Sequence, residues 1–304
     1  MQTTPESLRR RFADKPFLQF DTTGGLTRVG VQTPACTASI LLQGAHLTGW
    51  QPAGEQPVIF LSRKSEFAPG KPVRGGIPIA FPWFSADKKQ DRIDGHPGPS
   101  HGFARIEEWT LASAELRGGD ADLLFTLGPT DLSRSMGFDA FGLALRFTLG
   151  RTLRAELTVH NTSAAPLEYE QAFHTYFQVG DIHEVTIRGL EDARFIDKID
   201  GFQLKQPEGK PITFTGALDR LYLDTTSPLS LGDGANHRTI HMRKEGSRSS
   251  VVWNPFRPLP DLGEWDWHDM VAMETANADV DRVTLAPGRS AVMAMAVTVE
   301  RDRR

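Results

Sequence analysis

Two adjacent segments of the chain alternate between apolar and other side chains with a period of two. The apolar positions of the first are Phe141, Leu143, Leu145, Phe147 and Leu149, and those of the second are Leu153, Ala155, Leu157 and Val159. Alternation of this kind gives each strand one apolar face. The three residues between the segments, 150–152, would set Leu149 opposite Leu153 and keep both apolar sets on one side. The pattern predicts a β-hairpin, and Gly150 eases its tight turn.

Shorter strand candidates occur along the rest of the chain, most of them bounded by Gly, Pro, Asn or Asp. They cover residues 38–42, 58–61, 123–127, 185–187, 239–242, 250–253 and 291–299. Residues 5–12 are typical of one short helix, with Leu8 and Phe12 one turn apart. Because strands do not alternate with helices as they do in a doubly wound sheet, the pattern predicts an all-β fold of mostly antiparallel strands.

Glycine and proline punctuate the whole chain. The 304 residues include 28 Gly and 20 Pro, scattered without a linker, a repeat or a low-complexity segment. We therefore expect a single domain over residues 1–304, since β-sandwiches of about 200–250 residues often form one domain. The polar segment 86–99 is the longest interruption, and a loop of that length is either functional or mobile.

Charge and cysteine content exclude several classes of partner. With 34 Lys and Arg against 38 Asp and Glu, the net charge is −4, so no global positive field attracts nucleic acid or an acidic membrane. No apolar segment follows the basic residues of the first turn, so a secretory signal is not expected. The apolar segment 291–299 is about half as long as a membrane span. Cys36 is the single cysteine and cannot form an intramolecular disulfide. These features favour a cytoplasmic protein.

Standard motifs for cofactors and nucleophiles are missing from the sequence. There is no phosphate-binding G-x-x-x-x-G-K-S/T segment, no G-x-G-x-x-G fingerprint and no G-x-S-x-G elbow. No spacing of Cys and His is typical of zinc. We therefore expect a function that needs neither a cofactor nor a metal.

Two polar clusters contain glycine beside basic residues. In residues 74–84, Arg74 precedes paired glycines that would let the backbone approach a ligand closely, or would simply form a turn with a solvated arginine. In residues 100–105, His101 and Arg105 are close enough in sequence to face one ligand. The simpler interpretation of that second cluster is a hydrogen-bonded core histidine and a surface arginine.

Two further clusters place an ionisable group among apolar residues. In residues 173–177, a period-two strand puts His174 and Tyr176 on one face, where burial could tune the pKa of the imidazole for acid–base work. A structural histidine bonded to a carbonyl is the alternative. In residues 270–277, Glu274 follows four apolar residues. Buried glutamate is rare unless it is paired or used, and the alternative is an exposed glutamate at a strand end.

In their order and spacing these clusters resemble the aldose 1-epimerase superfamily, also called galactose-mutarotase-like, and within it the hexose-6-phosphate mutarotase branch. The resemblance extends over most of the chain. It rests on seven segments: Gly44-Ala-His-Leu47 with Trp50, Arg74-Gly-Gly-Ile-Pro78 with Phe81-Pro82, His101-Gly-Phe-Ala-Arg105, His174-Thr-Tyr-Phe177, Asp219-Arg-Leu-Tyr222, Trp253-Asn-Pro-Phe256 and Glu274-Thr-Ala-Asn277.

The resemblance implies a β-supersandwich with its site in a cleft across one sheet, and interconversion of the α and β anomers of a cyclic sugar. His174 matches the family's general acid and Glu274 its general base. A protonated His174 would deliver a proton to the ring oxygen while an ionised Glu274 removes one from the anomeric hydroxyl. Arg74, Arg105 and Asp219 match positions that contact the sugar phosphate, and arginine suits a phosphate dianion.

Two further residues are candidates for substrate binding. His101 would hydrogen-bond a sugar hydroxyl or help hold Glu274, and Ser100 stands where family members often have a longer glutamine. The expected partner is a small sugar phosphate, and the expected assembly is a monomer or weak dimer. Two other functions remain open from sequence: an epimerase for unphosphorylated hexoses, if Arg74 and Arg105 pair with carboxylates instead, and a carbohydrate-binding β-sandwich without catalysis.

Overall fold

The computed structural model describes residues 3–86 and 97–302 of the chain, and these residues are mostly in β-strands. The strands run in chain order as β1 (Leu18–Thr23), β2 (Leu26–Gln32), β3 (Cys36–Leu41), β4 (His46–Pro52), β5 (Ile79–Ala80), β6 (Thr110–Arg117), β7 (Asp120–Leu127), β8 (Phe141–Leu149), β9 (Leu153–Asn161), β10 (Leu167–Tyr169), β11 (Gln171–Phe173), β12 (Tyr176–Gln178), β13 (Val185–Arg188), β14 (Phe195–Asp197), β15 (Gln203–Lys205), β16 (Ile212–Thr213), β17 (Leu218–Tyr222), β18 (Leu229–Asp233), β19 (Arg238–Glu245), β20 (Ser249–Asn254), β21 (Met270–Asn277), β22 (Val283–Leu285) and β23 (Ser290–Arg301).

Helices are short. The α-helices are α1 (Pro5–Arg11) and α2 (Asp131–Ser135), and single 3₁₀ turns occupy Ile182–Glu184, Gly234–Asn236 and Asp279–Asp281. The hydroxyl of Thr4 accepts a hydrogen bond from the Ser7 N–H at 3.3 Å and caps the start of α1. This confirms the predicted helix. None of the helices in the described residues is long and apolar enough to cross a membrane.

The predicted hairpin is confirmed in its bounds and register. β8 and β9 pair antiparallel with Leu149 opposite Leu153, and the apolar positions of both strands are buried. Gly150 serves a different purpose from the one expected, because its φ is not positive. A Cβ at this position would lie 1.9 Å from the Oδ1 atom of Asp120, so glycine is required by close approach.

Two large antiparallel sheets carry most of the chain. One has nine strands in the order β16-β13-β18-β19-β23-β9-β8-β7-β6, and the other has the order β15-β14-β17-β20-β21-β11-β5, with β12 also paired to β21. One apolar cluster takes in residues of both sheets, including Leu157 and Met295 of the first and Phe177 and Met273 of the second. The Thr175 hydroxyl, which donates to the Met295 sulfur at 3.5 Å, marks their contact. This arrangement confirms the predicted all-β fold of mostly antiparallel strands. The opposite face of the second sheet is the place for the cleft that the resemblance implies.

One predicted strand is wrong. Residues 58–61 are extended but make only isolated bridges, from Ile59 to Phe177 and from Leu61 to Gly75. Their backbone groups bond to two different neighbours, since the Phe60 N–H donates to Tyr176 and the Phe60 carbonyl accepts from Gly76. Apolar run length cannot reveal that the segment lies between two partners. The other strand candidates fall within strands, except that Leu42 lies one residue beyond the end of β3. Residues 87–96 of the predicted long loop lie outside the described residues.

Candidate active site

Strand β21 carries Glu274 across the middle of the second sheet. All eight residues of β21 are buried, so the strand is covered on both faces. Val271 and Met273 point into the main apolar cluster. Because side chains alternate along a strand, Glu274 points to the opposite face. Its side chain is 1% exposed, which confirms burial and excludes an exposed strand end.

His174 lies beside Glu274 at the break between β11 and β12. The backbone N–H of His174 donates to the Pro78 carbonyl at 3.0 Å, which holds the backbone at this break. The imidazole stacks on the Tyr176 ring with centroids 4.7 Å apart and planes 4° apart, so the two residues share a face as the period-two pattern predicts. The Nδ1 atom of His174 lies 3.4 Å from Oε1 of Glu274. The sheet therefore places a nitrogen base and a carboxyl group side by side.

This pair is buried without satisfying its polar atoms. His174 Nδ1 and Glu274 Oε2 have no hydrogen-bond partner among the described residues. Burial lowers the pKa of His174 well below its ordinary value, and the charges of His101 and Arg74 add to the effect. Burial likewise raises the pKa of Glu274 well above its ordinary value. Both shifts act against the charge states expected from the sequence, a protonated His174 and an ionised Glu274. In either charge state the pair holds one transferable proton and one lone pair to receive a proton.

Arg74 reaches the same face but already has partners. Its Nε and Nη2 donate to Oδ2 of Asp261 at 2.9 and 2.7 Å, and its Nη1 donates to the Tyr176 hydroxyl at 2.8 Å. The guanidinium lies 5.6 Å from the centre of the Trp253 ring. The carboxylate partner left open by the sequence is therefore present, although the Asp261 side chain is 48% exposed.

Lys198 is a cationic residue of the site that the sequence did not indicate. It follows β14, and its N–H donates to the Asp219 carbonyl at 2.9 Å. Its ammonium lies 3.3 Å from Oδ1 of Asp219, 3.3 Å from the Ser85 hydroxyl and 4.7 Å from the centre of the Phe84 ring. A single lysine after a short strand carries no motif, so only the pairing of β14 with β17 reveals it. Asp219, which was predicted to bind substrate, lies in the cavity with Lys198 as its ion-pair partner.

His101 lies across from His174 with ring centroids 5.2 Å apart. The Ser85 N–H donates to its Nδ1 at 3.3 Å, which leaves the proton of the neutral ring on Nε2. Burial lowers the pKa of His101, and the charges of Arg105, Lys198 and Arg74 reinforce the shift. The following Gly102 has φ +75° and a Cβ there would lie 2.0 Å from the Phe81 carbonyl oxygen. Glycine is therefore what allows His101 to lie against this wall of the cavity.

The remaining two predicted residues do not line the cavity. Arg105 donates from Nη2 to the Ser100 carbonyl at 2.6 Å, and its buried Nε has no hydrogen-bond partner among the described residues. Burial lowers the pKa of Arg105 to about 10, and Arg74 contributes to the lowering. The Ser100 side chain is exposed and donates to the Ser85 carbonyl at 3.4 Å. The contact between the two residues therefore uses the backbone carbonyl of Ser100 and the guanidinium of Arg105.

The site residues other than Arg105 and Ser100 surround a cavity of about 160 Å³ on the outer face of the second sheet. Its lining combines aromatic walls with cations, two carboxyl groups and two imidazoles. The lining residues are Arg74, Phe84, Ser85, His101, His174, Lys198, Asp219, Val251, Trp253 and Glu274. Such a cavity suits a small polar molecule that exchanges protons and carries negative charge.

His46, from the first segment of the family resemblance, has a structural role. It is 1% exposed, and its Nε2 hydrogen-bonds the Gly75 carbonyl at 2.8 Å. A Cβ at Gly76, where φ is +71°, would lie 2.3 Å from the same nitrogen. The histidine and the paired glycines thus pack against each other behind Arg74. Burial lowers the pKa of His46 from 6.5 to about 4.

This shift predicts a loss of stability in acid. The unfolded chain binds a proton at His46 as the pH falls below 6.5, whereas the folded chain does so only near pH 4. Stability contributed by the neutral histidine is therefore present above 6.5 and falls by up to about 3 kcal/mol as the pH drops to 4. Urea unfolding at pH 7 and pH 4 should show this loss, and His46→Gln should reduce it. An equal reduction by the control His241→Gln, at a half-buried position, would contradict the assignment.

Comparison with known proteins gives one family. A family model described as aldose 1-epimerase matches residues 28–298 of the chain. Two curated relatives share the name "Putative glucose-6-phosphate 1-epimerase": one from Escherichia coli is 34% identical over 85% of this chain and 86% of its own length, and one from Cenchrus ciliaris is 31% identical over 90% and 85%.

A solved structure agrees with these relatives. The crystal structure of a "putative mutarotase (YeaD)" from Salmonella typhimurium superposes with a TM-score of 0.87 at 30% identity, covering 97% of this chain and 99% of that one. The fold therefore has a counterpart along nearly the whole chain.

Proposed function

The chain belongs to the aldose 1-epimerase family and is an enzyme of the epimerase type, and we propose that it interconverts the α and β anomers of a hexose 6-phosphate. The observation that carries this proposal is the pair formed by His174 and Glu274, 3.4 Å apart with polar atoms left unpartnered in a cavity. Buried polar atoms without partners cost free energy unless a ligand satisfies them. A sugar hydroxyl and a ring oxygen are suitable partners.

The reaction needs one proton donor and one proton acceptor at the same time. Ring opening protonates the ring oxygen and removes the proton of the anomeric hydroxyl, which gives an open aldehyde. Rotation about the C1–C2 bond and closure on the other face then give the second anomer, with donor and acceptor exchanged. We assign the donor role at ring opening to His174 and the acceptor role to Glu274.

Positive charge beside this pair supports a phosphorylated substrate. Arg74 and Lys198 line the cavity, and Arg105 lies close enough for its charge to act on Arg74 and His174. Of these cations, Arg105 has no carboxylate at ion-pair distance among the described residues, and burial disfavours its charge and lowers its pKa. A phosphate dianion would compensate it and would offer oxygens for planar guanidinium donors. His101 Nε2 and Asp219 are left to bind sugar hydroxyls.

An exchange experiment at equilibrium tests the function without a pure anomer. Saturation of the α-anomer proton signal of glucose 6-phosphate in NMR should reduce the β signal faster when the enzyme is present. The same measurement with glucose and galactose separates the alternatives. Faster exchange for the free sugars only would contradict the phosphate assignment, and no faster exchange for any of the sugars would contradict the epimerase activity.

Replacement of Arg74 should change the enzyme's discrimination between the two substrate classes. Loss of a charge-assisted hydrogen bond to phosphate corresponds to about 10–100-fold, so Arg74→Met should raise KM for glucose 6-phosphate by that amount. KM for unphosphorylated glucose should change far less, because no phosphate contact is lost. The ratio of the two KM values is the readout, and it separates phosphate binding from general disturbance through Asp261. Arg257→Met is the matched control, because Arg257 is exposed and lies in the same segment between β20 and β21 as Asp261. Equal changes of KM for both sugars would remove Arg74 from phosphate binding.

We also propose where the enzyme acts, in which assembly, and with how many domains. Sugar phosphates are intracellular metabolites, so we place the enzyme in the cytoplasm and propose that it acts as a monomer or weak dimer with no nucleic acid or membrane partner. We also propose that residues 1–304 form one domain. One apolar cluster, which extends from Leu8 of α1 to Val297 of β23, supports this. For Ser100, whose side chain is exposed, we propose only a contact between its hydroxyl and the phosphate end of the substrate.

A further inference from the structure

A second cluster of chemically active side chains lies outside the cavity. Asp181 precedes the 3₁₀ turn Ile182–Glu184, and His183 lies within that turn. His268 comes from residues 255–269, the connection between β20 and β21. Each of the three residues can offer one ligand atom such that all three atoms lie within 4.8 Å of one another. None of the three lines the cavity that contains His174 and Glu274.

We propose that Asp181, His183 and His268 form a binding site for a divalent zinc-type metal ion. Two imidazoles and one carboxylate are a ligand set that zinc accepts, with a solvent molecule completing four-coordination. Asp181 Oδ1 lies 2.7 Å from Nδ1 of His183 and 3.2 Å from Nε2 of His268. Zinc bonds of about 2.0–2.2 Å require ligand atoms a little over 3 Å apart, so a small rotation of the half-exposed His183 ring would complete the site.

The position of the His268 ring points to a cation. Nδ1 of His268 lies 2.9 Å from Oδ1 of Asp269. The other ring nitrogen, Nε2, lies 3.2 Å from Asp181 Oδ1, the same oxygen that Nδ1 of His183 contacts at 2.7 Å. Nε2 and Oδ1 are therefore separated by nearly the distance between two ligand atoms of one zinc ion. The Asp269–His268 contact has the geometry of the outer carboxylate that orients a metal-binding histidine.

Backbone hydrogen bonds hold the two halves of the cluster in register. The Ile182 N–H donates to the His268 carbonyl at 2.9 Å, and the Val179 N–H donates to the Asp269 carbonyl at 2.9 Å. The ligands therefore come from segments that are already joined. The connection 255–269 also contains Asp261, which holds Arg74. A bound metal ion would fasten this connection at a second point.

Isothermal titration of the full, untagged chain with zinc chloride tests the proposal independently of catalysis. We expect binding with a stoichiometry near one, and loss of that binding in His183→Ala and in His268→Ala. Asp269→Asn keeps all three ligands but removes the outer carboxylate, and it should weaken binding by about 10–100-fold. The matched control is His241→Ala, because His241 also lies beside a carboxylate, Glu300 at 3.2 Å, but lacks a second imidazole.

Several results would overturn the site. Zinc binding of equal affinity in the wild type and in His183→Ala would show that these residues do not ligate. Competition by Mg²⁺ at comparable concentration would also contradict it, because that hard cation prefers oxygen ligands. Unchanged zinc binding in Asp269→Asn would contradict the orienting role of Asp269. If NMR also showed protons on both ring nitrogens of His268 at neutral pH, an imidazolium that bridges Asp181 and Asp269 would explain the geometry without a metal ion. His183 is 49% exposed on its side chain, so its replacement should preserve folding even if that of His268 does not.

Discussion

Glu274→Gln should lower kcat for hexose 6-phosphate interconversion by about 10²–10⁴-fold, the contribution typical of one positioned proton transfer. Glutamine has nearly the same shape and can hydrogen-bond, but it cannot exchange a proton with the anomeric hydroxyl. This holds whichever member of the pair carries the proton before substrate binds. KM should change much less, because Arg74 and Lys198, which are proposed to bind the substrate, are unchanged.

The fold should tolerate this replacement. Oε2 of Glu274 has no hydrogen-bond partner, so an amide in its place breaks no bond among the described residues. The matched control is Glu107→Gln, since burial also raises the pKa of Glu107 but that residue does not line the cavity. The NMR exchange rate checks both variants. If Glu274→Gln kept activity within tenfold of the wild type, Glu274 would not be the proton acceptor.

Asp233→Ala should lower the free energy of unfolding by about 3–5 kcal/mol, the cost of leaving a buried charge without its partner. Asp233 and Arg238 are 0% and 2% exposed on their side chains, with Oδ2 of Asp233 2.9 Å from Nε of Arg238. Arg238 also donates to the carbonyl oxygens of Pro57 and Gln178 at 3.1 and 2.6 Å. The lost carboxylate would leave a guanidinium that water cannot reach.

An exposed ion pair supplies the comparison for this prediction. Arg28 and Asp21 pair on neighbouring strands with side chains 40% and 41% exposed. Since exposed pairs contribute about 0–1 kcal/mol, Asp21→Ala should cost no more than about 1 kcal/mol. Denaturant titration at neutral pH measures both variants. Similar losses for Asp21→Ala and Asp233→Ala would show that burial does not set the cost at Asp233.

Local periodicity was sufficient to predict the β8–β9 hairpin and the shared face of His174 and Tyr176. In both cases the side-chain direction follows from the two-residue repeat of a single strand, which depends only on neighbouring residues. The same repeat failed for residues 58–61, where an apolar run lies between two bonding partners and does not join a ladder. The family resemblance indicated most of the cavity lining, including Arg74, His101 and Asp219.

The charge states of the acid–base pair depended on the tertiary structure. Sequence indicates which groups can titrate, but burial and the charges of distant residues decide which way each pKa moves. His174 and Glu274 are a hundred positions apart in sequence, and Arg74 lies a hundred positions before His174. The shifts of His174 and Glu274 oppose the charge states expected from the residue types. Gly150 is a related case, since its need for glycine comes from Asp120 on another strand.

The sequence by itself determined the fold class, the family and the two residues proposed to move protons, because strand periodicity and short motifs are local properties. Only the tertiary structure decided that Lys198 joins the cavity, that Arg74 has Asp261 as its partner 187 positions away, and that His183 and His268 meet at Asp181. The physical reason is that sheet register and long connections bring these residues together. The hydrogen bonds that set the register form between strands far apart along the chain, so no local pattern records them.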